Sequence, residues 1–126
     1  MLAQYLDLTD EFNNSYTEST GEYYVVFEVS NYDYAVIQIS GSDAGIRLES
    51  TIDSGAIQGV TDGSALTSDN YHEVYKTYIA TGAVADGAVQ LGDDMVRVDI
   101  VGRYIKLSSL TPIHFGFILV MLAKIS

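Results

Sequence analysis

Met95-Val96-Arg97-Val98-Asp99-Ile100-Val101-Gly102-Arg103-Tyr104-Ile105-Lys106-Leu107 is the stretch whose reading decides the fold. Val96, Val98 and Ile100 share one parity while Arg97 and Asp99 share the other, as in a strand with one buried face. Past Gly102 the phase shifts by one, and Ile105 and Leu107 become the apolar set against Lys106 and Ser108. A flip at a glycine predicts a β-bulge, or a tight turn centred on Gly102 and Arg103, where two strands meet.

Upstream, Tyr23, Val25, Phe27 and Val29 alternate with Glu28 and Ser30, and Asn31-Tyr32-Asp33 leads into Tyr34–Ser40. This predicts a hairpin. Gly41-Ser42-Asp43 then turns into Gly45–Asp53, where Ile46, Leu48 and Ile52 alternate with Arg47, Glu49, Thr51 and Asp53. Residues 54–70 are rich in Gly, Ser, Asp and Thr and exceed the usual connection length, so a functional loop or one lying over a sandwich end is expected. Glu73–Ala80 returns to strand composition, and Gly92-Asp93-Asp94 is the turn before Met95. Residues 1–20 are poor strand material apart from Tyr5–Leu8. They are expected to form an N-terminal arm or loosely attached leading strand, with residues 21–126 as a single β-sandwich domain. The Asn13 sequon is expected to be accidental.

Downstream of Pro112, the run Ile113–Ile125 (IHFGFILVMLAKI) has an apolar core too short for a bilayer, which needs about 20 apolar residues. Gly116 and the Phe, Ile and Val content predict a strand buried on both faces. One face of a sandwich strand normally sees water, so Phe115, Phe117, Leu119 and Met121 are the candidate interface, covered by another subunit or by the chain itself. Together these segments predict an all-β fold, an antiparallel β-sandwich or jelly roll of about eight strands with turns roughly every 8 to 12 residues.

The chain has 126 residues, one domain's worth. It has 17 acidic and 6 basic residues, for a net charge of −11, and no cysteine. Residues 1–70 hold 12 acids against Arg47 alone, giving −11; residues 71–126 hold 5 acids and 5 bases, giving zero. Such a chain repels polyphosphate and carries no basic stripe, so no nucleic-acid partner is expected. No signal peptide and no membrane segment are expected either.

Catalytic patterns are missing. The two histidines, His72 and His114, lie in no metal-ligand spacing, and neither a G-x-S-x-G nor a phosphate-loop motif occurs. No catalytic residue, metal or cofactor is expected. Ten tyrosines and no tryptophan are present, and Tyr71, Tyr75 and Tyr78 form a candidate binding stripe. With Asp62 in the preceding loop, Tyr71 and Tyr75 make up the alternative ligand site.

Gly102-Arg103-Tyr104-Ile105-Lys106-Leu107 resembles a strand of discoidin-type jelly rolls, which implies a module binding sugars or lipid head groups through end loops. A second resemblance runs more broadly, from Ile52-Asp53-Ser54-Gly55 through Tyr78-Ile79-Ala80-Thr81-Gly82 to Val96–Leu107. It is similar to small β-sandwich virion structural proteins of tailed bacteriophages, cysteine-free and acidic. That resemblance implies a non-enzymatic virion subunit, a homo-oligomer whose partners are copies of itself and the capsid lattice. The role implied is capsid decoration, cement or head auxiliary, with a neck or tail position as the alternative.

Overall fold

The strands foreseen over residues 22–51 and 95–125 all form, but they divide between two sheets. The computed structural model describes residues 2–51, 71–86 and 90–125. Among these the strands are β1 (Leu2–Asp7), β2 (Tyr23–Glu28), β3 (Tyr34–Ser42), β4 (Arg47–Thr51), β5 (His72–Glu73), β6 (Lys76–Tyr78), β7 (Val84–Ala85), β8 (Met95–Asp99), β9 (Tyr104–Ser109) and β10 (Ile113–Lys124), with one short helix, α1 (Thr9–Asn13). One sheet runs β1-β10-β3-β8-β6-β7 and the other β2-β9-β4-β5.

Four of the antiparallel pairings nest: β1 with β10, β2 with β9, β3 with β8 and β4 with β5. A chain paired in this way is a single long hairpin rolled on itself, the arrangement of a jelly roll. The short strands β6 and β7 extend the first sheet beyond β8. The core lies between the sheets. Ala35, Ile37 and Ile39 of β3, Val96 and Val98 of β8, and Ile118, Val120 and Leu122 of β10 meet Val25 and Phe27 of β2, Leu48 of β4, and Ile105 and Leu107 of β9.

The phase flip at Gly102 is neither a bulge nor a hairpin turn. β8 belongs to the six-stranded sheet and β9 to the four-stranded one, so residues 100–103 carry the chain across the sandwich. Gly102 is required because a Cβ there would collide with Ser50 Oγ and come within 2.9 Å of Thr51 O. Around it, the Arg103 amide donates to Thr51 O and the Val29 amide to Arg103 O, both at 2.8 Å. The Asn31–Asp33 turn is likewise a crossing, since among the described residues β2 pairs with β9 while β3 lies between β10 and β8. Alternation reports which parity is buried but not which sheet receives it.

The N-terminal segment is part of the sandwich. β1 pairs with β10 through six residues, from Leu2↔Lys124 to Asp7↔Leu119. Asp7 Oδ1 then accepts the amide and hydroxyl of Thr9 at 3.1 and 2.7 Å, turning the chain into α1. The helix carries Phe12, with no exposed surface, to within 6.1 Å of the Tyr23 ring. Asn13 clamps β10: its Oδ1 accepts the Ile113 amide at 2.8 Å and its Nδ2 donates to Ile113 O at 3.1 Å.

Candidate docking surfaces

β10 was expected to be buried on both faces, and its two apolar faces are covered unequally. Ile118, Val120 and Leu122 point into the core, while Phe117, Leu119 and Met121 lie half-buried on the outside of the six-stranded sheet. Strand register assembles this outer face in rows. Tyr5, Met121, Val36 and Arg97 form one row; Asp7, Leu119, Gln38 and Met95 form the next. The result is an open groove of about 620 Å³, apolar chiefly through Tyr5, Val36, Ile79, Met95, Leu119 and Met121. Three of these stay largely uncovered, with Tyr5 76%, Ile79 49% and Met95 42% exposed. At the side of the groove, Arg97 is held over the Tyr34 ring at 4.1 Å and paired with Asp99 at 3.2 Å.

Phe115 stands apart from the other candidate interface residues. Register slips between Ile113 and Phe117, where residues 114–116 of β10 face Gly41 of β3 alone. The bulge leaves Phe115 fully exposed at a φ of +52°, a left-handed conformation that bulky side chains rarely adopt. Two glycines permit it: a Cβ on Gly116 would collide with Ser40 O, and one on Gly41 with His114 O. His114 Nδ1 is 2.8 Å from Asp43 Oδ2 beside the bulge.

The other outer face is built differently. On the four-stranded sheet, Lys106 Nζ lies 3.7 Å from Glu49 Oε1 and 5.0 Å from the Tyr71 ring, and Arg47 pairs with Glu22 at 3.8 Å. Burial holds the Lys106 ammonium below its usual pKa, against the opposing pull of Glu49. Tyr71 packs there with Tyr24 and Val26. This face is already closed by paired charge and aromatic cover.

No protein-family model and no curated protein matches the chain. One solved structure does. The crystal structure of SPBc2 prophage-derived protein YomS aligns with a TM-score of 0.57 over 97% of this chain and 94% of that chain, at 11% sequence identity. At that identity the likeness is one of fold.

The tyrosine stripe is not assembled on one surface. Tyr71 is buried on the four-stranded sheet, whereas Tyr75 is 70% exposed and Tyr78 packs partly into the core. Burial, with Asp94 nearby, pushes the Tyr78 phenol up in pKa. Asp62 and the rest of residues 52–70 lie outside the described residues. Among the described residues, no group of three or more His, Asp or Glu could hold a metal ion, and no helix is long and apolar enough to cross a membrane.

Two buried lysines were missed by sequence reasoning. Lys106 sits on the polar parity of its strand, yet Tyr71 covers it, and nothing local announces that cover. Lys76 is 1% exposed and donates to Asp86 O at 3.0 Å.

Proposed function

We propose that this protein is a non-enzymatic structural subunit of a bacteriophage virion, a capsid-associated decoration, cement or head-auxiliary protein. It works by burying the outer face of its six-stranded sheet against copies of itself and against other virion proteins. The observation carrying this is the apolar groove formed by Tyr5, Val36, Ile79, Met95, Leu119 and Met121. Single exposed apolar residues are ordinary, but a contiguous rimmed patch marks a docking surface. Likeness of fold to a prophage-derived protein supports a phage origin. Symmetric copies multiply the gain, each fully buried Leu or Met side chain adding roughly 1.5 to 3 kcal/mol.

The test is whether the protein is present in purified particles, combined with light scattering of the isolated chain. Leu119→Asp and Met121→Asp leave the core-facing parity of β10 intact, and each is expected to abolish incorporation. A stable monomer at high concentration that is absent from particles refutes the proposal. Normal incorporation of both variants shows that this face is not the interface. Labelling the protein in intact particles separates a head from a neck or tail position.

A further inference from the structure

The six-stranded sheet ends in β1, and the direction of its backbone groups can be worked out. The Leu8 amide donates to Ile118 O at 2.9 Å, and the Ile118 amide donates to Thr9 Oγ1 at 2.9 Å. Antiparallel ladders alternate strictly between bonded and non-bonded pairs. In this register Leu2, Gln4 and Leu6 therefore direct their N–H and C=O groups at β10, while Ala3, Tyr5 and Asp7 direct theirs away from the sheet. Side chains do not cover that edge, for Leu2 through Tyr5 and Asp7 are all exposed.

Edge strands are normally protected by charge, proline, bulges or brevity. Among the described residues, the edge strands β5 and β7 have two residues each, and β2, six residues long with Glu28 as its charge, has its Tyr24 amide taken by Ser15 Oγ at 2.7 Å. β1 has six residues, no bulge against β10, no proline and a single charge, Asp7.

We infer that β1 pairs antiparallel with β1 of a second copy about a two-fold axis at Tyr5, joining two six-stranded sheets into one. Same-face pairing requires residues of like parity to oppose each other. The Tyr5-centred register is the one that places all three outward-facing residues in bonded pairs, Tyr5 opposite Tyr5 and Ala3 opposite Asp7. It also sets each Asp7 against an alanine, so the only charges on the strand do not meet. The edge of a chain carrying −11 overall is thus nearly neutral, which suits contact between identical molecules. The apolar rows through Tyr5 continue across the axis, leaving the face of the joined sheet free to dock. This pairing deepens, and rests on, the self-association proposed above.

Because the chain has no cysteine, single substitutions report the register directly. A bonded antiparallel pair holds its Cα atoms about 5.5 Å apart, within disulfide reach. Tyr5→Cys is expected to form a disulfide-linked dimer under mild oxidation. Ala3→Cys and Asp7→Cys are each expected to cross-link poorly alone and efficiently when mixed. Tyr5→Pro deletes an amide that faces away from β10, a position where edge strands tolerate proline. Tyr5→Pro should keep the native circular dichroism spectrum and weaken dimerisation at least tenfold, with Tyr5→Lys as the second variant should proline unfold the strand. A wild-type chain that is monomeric at all concentrations overturns the pairing, as do folded Tyr5→Pro or Tyr5→Lys with unchanged dissociation, or Tyr5→Cys cross-linking no faster than Tyr16→Cys. Incorporation into particles without the Tyr5→Cys cross-link sinks the edge alone. The cross-link without incorporation sinks the virion role alone.

Discussion

Phe12→Ala tests whether the first twenty residues are structure or appendage. Phe12 has no exposed surface and packs in the main core with Leu8, one turn earlier on the same side. Truncating such a phenylalanine costs about 3–5 kcal/mol, from lost transfer free energy plus the cavity left behind. The cost should fall toward the upper end. α1 has only five residues and cannot persist without its anchor. Its loss also removes the Ser15 hydroxyl that caps the Tyr24 amide.

Against a total stability of roughly 5–15 kcal/mol for a domain, that is a large fraction. It corresponds to a fall in melting temperature of about 10–20 °C. Urea titration followed by circular dichroism gives the free-energy change, and a thermal scan checks it. Tyr16→Ala is the control: half-exposed and tilted against the Tyr23 ring at 5.2 Å, it should lose only about 0.5–1.5 kcal/mol. A Phe12→Ala loss below about 1 kcal/mol would refute the placement of α1 in the core and restore residues 1–20 to the status of an arm.

Two further outcomes are expected. Gly116→Ala forces a Cβ into the Ser40 carbonyl, a backbone contact that cannot rotate away, and should cost about 1–3 kcal/mol by urea unfolding; an unchanged midpoint would mean the bulge relaxes freely. For Lys76 and Lys106, burial lowers both ammonium pKa values from 10.5, so between the lowered values and 10.5 the unfolded chain binds more protons and stability rises with pH. The raised Tyr78 value works oppositely above pH 10, so the rise should be read on the alkaline side just below about pH 10. Lys76→Met should flatten part of it, and a variant with the wild-type slope would show that Lys76 is not desolvated in the folded state.

Much of the sandwich was legible because alternation is a local consequence of strand geometry. Ala35, Ile37 and Ile39 of β3, and Val96 and Val98 of β8, could be assigned to the core from the chain alone. Sheet membership could not, since Asn31–Asp33 and Ile100–Arg103 look like hairpin turns whether the next strand pairs alongside or crosses over. α1 was hidden for a related reason. Leu8 and Phe12 carry the helical spacing of four, but they sit in a polar stretch too short to show a period. On β10, apolar residues on both parities did announce a second apolar face, the one proposed to dock. Continuing one parity through Phe115 did not foresee the bulge, which shifts the phase there; Gly116 inside a strand was the available signal.

The Phe115 bulge ties these features together. A non-glycine residue held at φ +52° costs of order 1–3 kcal/mol, and here the ring gains no packing within the described residues, being fully exposed. Glycine at 115 would relieve the strain. The surrounding chain instead accommodates it, with Gly41 and Gly116 providing backbone clearance and Asp43 holding His114 on one flank. Conformations of this kind persist only where the surrounding structure over-determines them, and they cluster at functional sites. The rest of β10 points the same way, since Leu119 and Met121 spend apolar surface on a face that an isolated sandwich would make polar. The four-stranded sheet supplies the comparison within the same molecule: its outer face is closed by Lys106, Glu49 and Tyr71. That contrast between the two outer faces is what supports the proposed docking of the six-stranded sheet against a neighbour.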